Sequence, residues 1–117
     1  MCYPACWNQI AGFGADSRFN TGEIQALSVL VDSSRDWQRA IEKMPELAGN
    51  IVLLDPDRLV SNLYGVLTLN SSMHRGQFPG HTYVLIDKDG VVRFIKDDVQ
   101  MAVRNKELLE EVNKLSS

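Results

Sequence analysis

The sequence has no apolar run approaching the roughly 20 residues needed to span a bilayer. Its first residues have neither the basic segment nor the hydrophobic stretch of a secretory leader. Neither a membrane span nor a targeting segment is expected, and the cytoplasm is the default compartment. No charge of one sign dominates: 12 Lys and Arg stand against 15 Asp and Glu, scattered along the chain for a formal net charge of -3. Without a polybasic face there is nothing to hold a phosphate backbone, so nucleic acid is not an expected partner. Internal repeats, low-complexity segments and linkers are also lacking, so residues 1–117 read as one domain, and 44% apolar content suffices for its core. Cysteine is scarce, and two are too few for a disulfide-stapled secreted scaffold.

Both of those cysteines stand within the first six residues, MCYPAC, and the pattern of the chain behind them explains why that matters. Trp7, Ile10 and Ala11 fall at helical spacing, and Pro4 suits a first turn, where its missing N–H has no partner to lose. The spacing predicts a helix beginning at the cysteines and weakening at Gly12 and Gly14, with 12–23 a frayed end or loop. ALSVLVD (26–32) reads as a strand buried on both faces. A helix follows, capped by Ser34, with Trp37, Ala40, Ile41 and Met44 on its buried face and Pro45 at its end. NIVLLD (50–55) is a second buried strand. Asp55 and Pro56 then predict an N-cap and first residue for a helix with Leu59, Val60, Leu63 and Tyr64 as its buried stripe, closed by Gly65.

The polar stretch NSSMHRGQFP (70–79) is a loop long enough to suggest function, although its His74 reads as a solvated residue. TYVLID (82–87) and VVRFI (91–95) flank Lys88-Asp89-Gly90 and predict an antiparallel hairpin. That turn is too short for a calcium loop. A last helix, capped by Asn105, turns Leu108, Leu109, Val112 and Leu115 inward. The order α-β-α-β-α-β-β-α implies a mostly parallel sheet covered on both faces, with the hairpin at its end.

A helix starting near Pro4 places Cys6 in its first turn, where unpaired N–H groups and the macrodipole favour an anion and lower a thiol's pKa. The thiolate is the nucleophile, so such a cysteine attacks a disulfide or a peroxide at neutral pH. Cys2 lies about one turn earlier, within reach of a disulfide if the chain there is helical or tightly turned, and is the resolving partner for an oxidised Cys6. Two other readings use the same residues. In one the cysteines are small buried hydrophobes without turnover. In the other, C-x-x-x-C with a distant histidine offers two thiolates and an imidazole to copper or zinc.

The chain resembles the peroxiredoxin-like redoxins of the alkyl-hydroperoxide-reductase/thiol-specific-antioxidant family, within the thioredoxin-like fold. The resemblance covers nearly the whole chain and rests on PACWNQI, on ALSVLVD followed by DW, on LLDPDRLVSNLYGV and on HTYVLIDKDGVVRFI. It implies a thioredoxin-like α/β domain with a mixed sheet and helices on both faces, acting as a thiol-dependent oxidoreductase on peroxide or disulfide. Cys6 would attack, Cys2 would resolve, and His81, at the start of a strand which that fold places beside the cysteines, would stabilise the thiolate or donate a proton. A thiol reductant is the implied partner, and no cofactor is implied. The chain departs from family peroxidases in having Tyr3 where they carry Thr or Ser, and His81 near where they carry an arginine. It departs from thioredoxin-like reductases in having His81 where they carry a cis-proline. Peroxidase and dithiol oxidoreductase thus both remain open. The same residues are similar to Sco-type copper chaperones, the family form of the metal reading; an inert redoxin fragment is the third reading.

The resemblance further implies a central strand ahead of the redox helix, where this sequence has only Met1, so it reads as N-terminally truncated. ALSVLVD and TYVLID would then flank a vacant position, to be repaired by strand rearrangement or by pairing with a second chain in a homodimer.

Overall fold

In the computed structural model the described residues are 5–115. Helix α1 (Ala5–Ala15) runs through both glycines that predict its weakening, because contacts hold its far end. The Asn105 side-chain amide donates to the Gly12 carbonyl at 3.1 Å, and Phe13 packs on Phe19 with ring centroids 4.9 Å apart. The irregular part shrinks to the segment from Asp16, where a short 3-10 turn (Ser17–Phe19) is capped by the Asp16 carboxylate.

Strand β1 (Ser28–Leu30), helix α2 (Ser34–Lys43) and strand β2 (Val52–Leu54) form a β-α-β unit whose strands pair in parallel, Ser28 opposite Val52 and Leu30 opposite Leu54. The α2 cap is Ser33, one residue before the expected Ser34, its hydroxyl accepting the Asp36 N–H at 3.1 Å. Trp37 and Ala40 face inward as their spacing predicts and meet Trp7 and Ile10 of α1, Leu30 of β1 and Leu47 in the first core cluster. A second cluster holds Phe19, Tyr83 and Leu108, flanked by Phe13 and Phe94. Helix α1 thus serves two cores, with Trp7 and Ile10 in one and Phe13 against the other.

The predicted hairpin is present. Strands β3 (Thr82–Ile86) and β4 (Val92–Asp97) pair antiparallel, with Thr82 opposite Asp97. Their turn is closed by Asp87, whose carboxylate accepts the N–H groups of Asp89 and Val91, while Gly90 takes the left-handed φ of 81°. Helix α4 (Asn105–Leu115) packs Leu108 inward but leaves Leu115 exposed, against expectation, because it occupies the last helical turn beyond the core.

The stretches 26–32 and 50–55 are not buried on both faces as expected, since Leu27, Val29, Ile51 and Leu53 are exposed, and three larger expectations are also corrected. The chain is α/β, but among the described residues its strands form two separate two-stranded sheets, β1-β2 and β3-β4, in place of one mixed sheet. No ladder joins β1 to β3. Residues 26–32 and 78–86 line a common cavity of about 460 Å³. The second correction concerns helix α3 (Leu59–Leu63), which starts four residues after Asp55. Pro56 to Arg58 form a turn with Arg58 left-handed at φ 60°, and Asp55 caps from below by accepting the Val60 and Ser61 N–H groups at 3.2 and 2.8 Å. The third follows from it: the phase of the helix shifts, Ser61 is the buried residue, and Leu59, Val60, Leu63 and Tyr64 are exposed. Among the described residues no helix is long and apolar enough to cross a membrane.

Candidate functional site around Cys6 and His81

Position six falls in the first turn of α1, where the amides of a helix start lack intrahelical acceptors. Cys6 is disulfide-bonded. The sequence holds one other cysteine, Cys2, which lies outside the described residues, as does Tyr3. The site residues proposed from the sequence divide accordingly. Cys6 and His81 come together, with the sulfur 3.8 Å from the imidazole Nδ1, whereas the place of Cys2 is not described.

His81 is buried, with 5% of its surface exposed, and both of its backbone groups are engaged. Its N–H donates to the Ser71 hydroxyl at 2.7 Å, and its carbonyl accepts the Asp98 N–H at 2.8 Å. Ser71 is itself held by Asp97, whose carboxylate accepts the Ser71 N–H at 2.8 Å, the Ser71 hydroxyl and the Thr82 hydroxyl at 3.0 Å. This packing requires glycine at position 80, where a Cβ would fall on the carbonyl carbon and oxygen of Ser71. The polar loop therefore acts as a brace for the start of β3. Within it, His74 is exposed and rests edge-on against Phe78, matching its reading as a solvated loop residue.

Behind the imidazole lies a polar cluster that the sequence reading did not single out. Tyr83 places its hydroxyl 2.7 Å from His81 Nε2, 2.7 Å from Gln9 Oε1 and 3.0 Å from the Ala102 carbonyl. Gln9 also accepts the Arg104 N–H at 2.8 Å and donates to Asn105 Oδ1 at 2.8 Å. Below these, the buried Asp98 carboxylate pairs with Arg104 through N–H···O contacts of 2.8 and 3.1 Å. A signal for the upper pair exists in the spacing. Gln9 follows Cys6 by three residues on a helix, and Tyr83 follows His81 by two at a strand start, so each shares its partner's face.

Burial moves the titrating groups in opposite directions. It lowers the pKa of His81 below the ordinary imidazole value, with the Asp98 charge opposing and the Arg104 charge assisting, so the neutral ring is the resting form at neutral pH. It raises the Tyr83 phenol, which stays protonated. The Arg104 guanidinium holds the Asp98 carboxyl far below its usual range.

Cys6 and His81 open on the cavity of about 460 Å³, whose walls carry Phe13, Phe19, Leu30 and Val84. Chemically the arrangement offers a disulfide sulfur that can be reduced and, 3.8 Å from it, a nitrogen of a neutral imidazole. Among the described residues no three His, Cys, Asp or Glu side chains gather as metal ligands, and Cys2, a ligand in the copper reading, lies outside them. No protein-family model matches the sequence, and no curated protein matches it.

Proposed function

We propose that this protein is a thiol-dependent oxidoreductase that cycles Cys6 between a disulfide and a thiol. The observation that carries the reading is a disulfide-bonded sulfur in the first turn of a helix, 3.8 Å from the Nδ1 of a buried histidine. In reduction, two thiols R–SH give R–S–S–R and the cysteine pair gains two electrons and two protons. In oxidation by a peroxide, the Cys6 thiolate attacks one oxygen and the O–O bond breaks. Cys6 becomes a sulfenic acid, and the other oxygen leaves as alcohol or water after taking a proton. The second thiol, Cys2 in this proposal, then displaces water from that sulfenic acid and restores the disulfide. With a disulfide substrate the Cys6 thiolate attacks one sulfur, the leaving sulfur takes the electron pair, and Cys2 resolves the mixed disulfide.

The helix start favours the thiolate, and His81, neutral at rest, serves as the base that takes the thiol proton. The thioredoxin-like, peroxiredoxin-like assignment belongs to this proposal and is supported by the parallel β-α-β unit, the antiparallel hairpin and the helix carrying Cys6 at its first turn. The cytoplasm, with its thiol pool, is the proposed compartment and reductant source.

The test is intact-mass analysis of the dithiothreitol-reduced protein after a brief substoichiometric pulse of hydrogen peroxide or, separately, of glutathione disulfide. Loss of two hydrogens in the wild type, absent in Cys6→Ser, is the expected result, and the faster oxidant identifies the substrate class. Oxidation no faster than that of a cysteine in a short flexible peptide, with both oxidants, refutes the proposal.

A further inference from the structure

The hydrogen-bond chain behind His81 has a direction, and two backbone groups set it. The Arg104 amide can only donate, so the Gln9 atom 2.8 Å from it is the oxygen. The Gly12 carbonyl can only accept, so Asn105 turns its NH₂ to it and leaves Oδ1 for the Gln9 NH₂. The Tyr83 hydroxyl then faces two acceptors, Gln9 Oε1 at 2.7 Å and the Ala102 carbonyl at 3.0 Å, with a single hydrogen to give. That hydrogen goes to one of them. Were it spent on His81 instead, the phenol oxygen would meet two bare acceptors at hydrogen-bond distance. The proton on the third contact, 2.7 Å long, therefore belongs to His81 Nε2, and the lone pair of the neutral ring sits on Nδ1, the nitrogen facing Cys6.

We infer that Tyr83 and Gln9 are positioning residues: they hold His81 in its Nε2–H tautomer so that the Nδ1 lone pair receives the Cys6 thiol proton. The tautomer follows from the geometry alone, and its kinetic consequence rests on the redox proposal. The step is balanced within the site. In the reduced protein the Cys6 S–H bond breaks, its electron pair stays on sulfur as the thiolate, and the proton joins Nδ1. When the thiolate attacks an incoming disulfide, the departing thiolate carries the electron pair of the broken S–S bond and takes that proton. Beyond Gln9 the chain runs through the Asn105 NH₂ to the Gly12 carbonyl and, at 3.3 Å, to the Asp16 carboxylate; its links are amides, which orient the ring and carry no proton away. The charged or titratable groups around the ring are Cys6 in front, Tyr83 behind, and Asp97, Asp98 and Arg104 from β4 and the segment before α4.

The experiment uses the full-length protein with His74→Gln, an exposed loop position, so that ¹⁵N-histidine labelling reports His81 alone. At pH 7.5 the expected spectrum has a protonated, pyrrole-like Nε2 and an unprotonated, pyridine-like Nδ1, in both redox states. Tyr83→Phe should mix the tautomers and slow the reaction of reduced Cys6 with glutathione disulfide about fivefold, the net worth of roughly one hydrogen bond. Gln9→Met should do the same to a smaller extent. A dominant Nδ1–H tautomer in the His74→Gln protein overturns the inference, as does a folded Tyr83→Phe protein with unchanged tautomer and rate. If a variant fails to fold, the spectrum of the His74→Gln protein still decides the tautomer. A spectrum as expected, with Cys6 reacting no faster than a peptide thiol, supports the positioning of the ring and refutes the redox proposal.

Discussion

Asp98 is the residue whose removal tests the physical account of this site most directly. Its carboxylate, 3% exposed, receives both Arg104 nitrogens and the backbone N–H groups of Gln100 and Ala102, each at 3.0 Å. Asp98→Ala leaves a guanidinium and two amides without that acceptor. Truncating one member of a fully buried ion pair costs about 3–5 kcal/mol. The Arg104 side chain is 24% exposed, so water recovers part of that loss and about 3 kcal/mol is expected. Asp98→Asn keeps one oxygen for the amides and should cost about 1.5 kcal/mol. With a urea m-value of about 1.5 kcal/mol/M, the unfolding midpoint should fall by about 2 M for the alanine variant and about 1 M for asparagine. The pH dependence separates charge from packing. Because folding lowers this carboxyl's pKa, the pair's stabilisation is complete above the unfolded value of about 3.9 and is lost as pH falls below it. Asp98→Asn should therefore flatten the acid limb of the stability curve. A residual slope remains from Asp16, which its Arg18 partner holds down at about 2. An asparagine variant with an unchanged midpoint and a wild-type acid limb would refute the reasoning.

Two further substitutions probe the brace and the core. Gly80→Ala drives a methyl into the Ser71 carbonyl, so the 70–72 backbone must move. The expected cost is about 2–3 kcal/mol, and slower Cys6 oxidation should accompany it because His81 loses the Ser71 hydroxyl that seats its N–H. Thermal unfolding and the peroxide-pulse assay together read both effects, and an alanine variant matching wild type in each would show that the close approach is unimportant. Leu47→Ala, at a side chain only 1% exposed, should cost about 3 kcal/mol in urea unfolding with an unchanged m-value; a loss under about 1 kcal/mol would mean that the α1-α2 core collapses around the gap.

What could be read from the sequence, and what could not, separates by the range of the interaction responsible. Signals set within one element or one turn located α2, through the spacing of Trp37 and Ala40, and the hairpin, through its Lys88-Asp89-Gly90 turn, both of which the structure contains. The error in α3 arose where two local signals compete. Asp55-Pro56 reads as a cap and first helical residue, yet the same aspartate satisfies the amides at 60 and 61 when Arg58 adopts the left-handed conformation instead. The helix that results, Leu59–Leu63, is held to Asp55 through Ser61, so that face turns inward and the leucines of the expected stripe stand outward. The division of the strands into two sheets depends on pairing across the molecule, which alternation within a strand does not encode. The candidate site lies between these cases. Cys6 and His81 carry recognisable chemistry, but the Gln9 and Tyr83 that orient the imidazole are ordinary residues in ordinary elements. Their role exists only because α1 and the segment before α4 converge on the Tyr83 hydroxyl of β3. A sequence search for reactive side chains finds Cys6 and His81; the tautomer inferred for the imidazole between Cys6 and Tyr83 rests on two backbone groups, at Arg104 and Gly12, that no residue type announces.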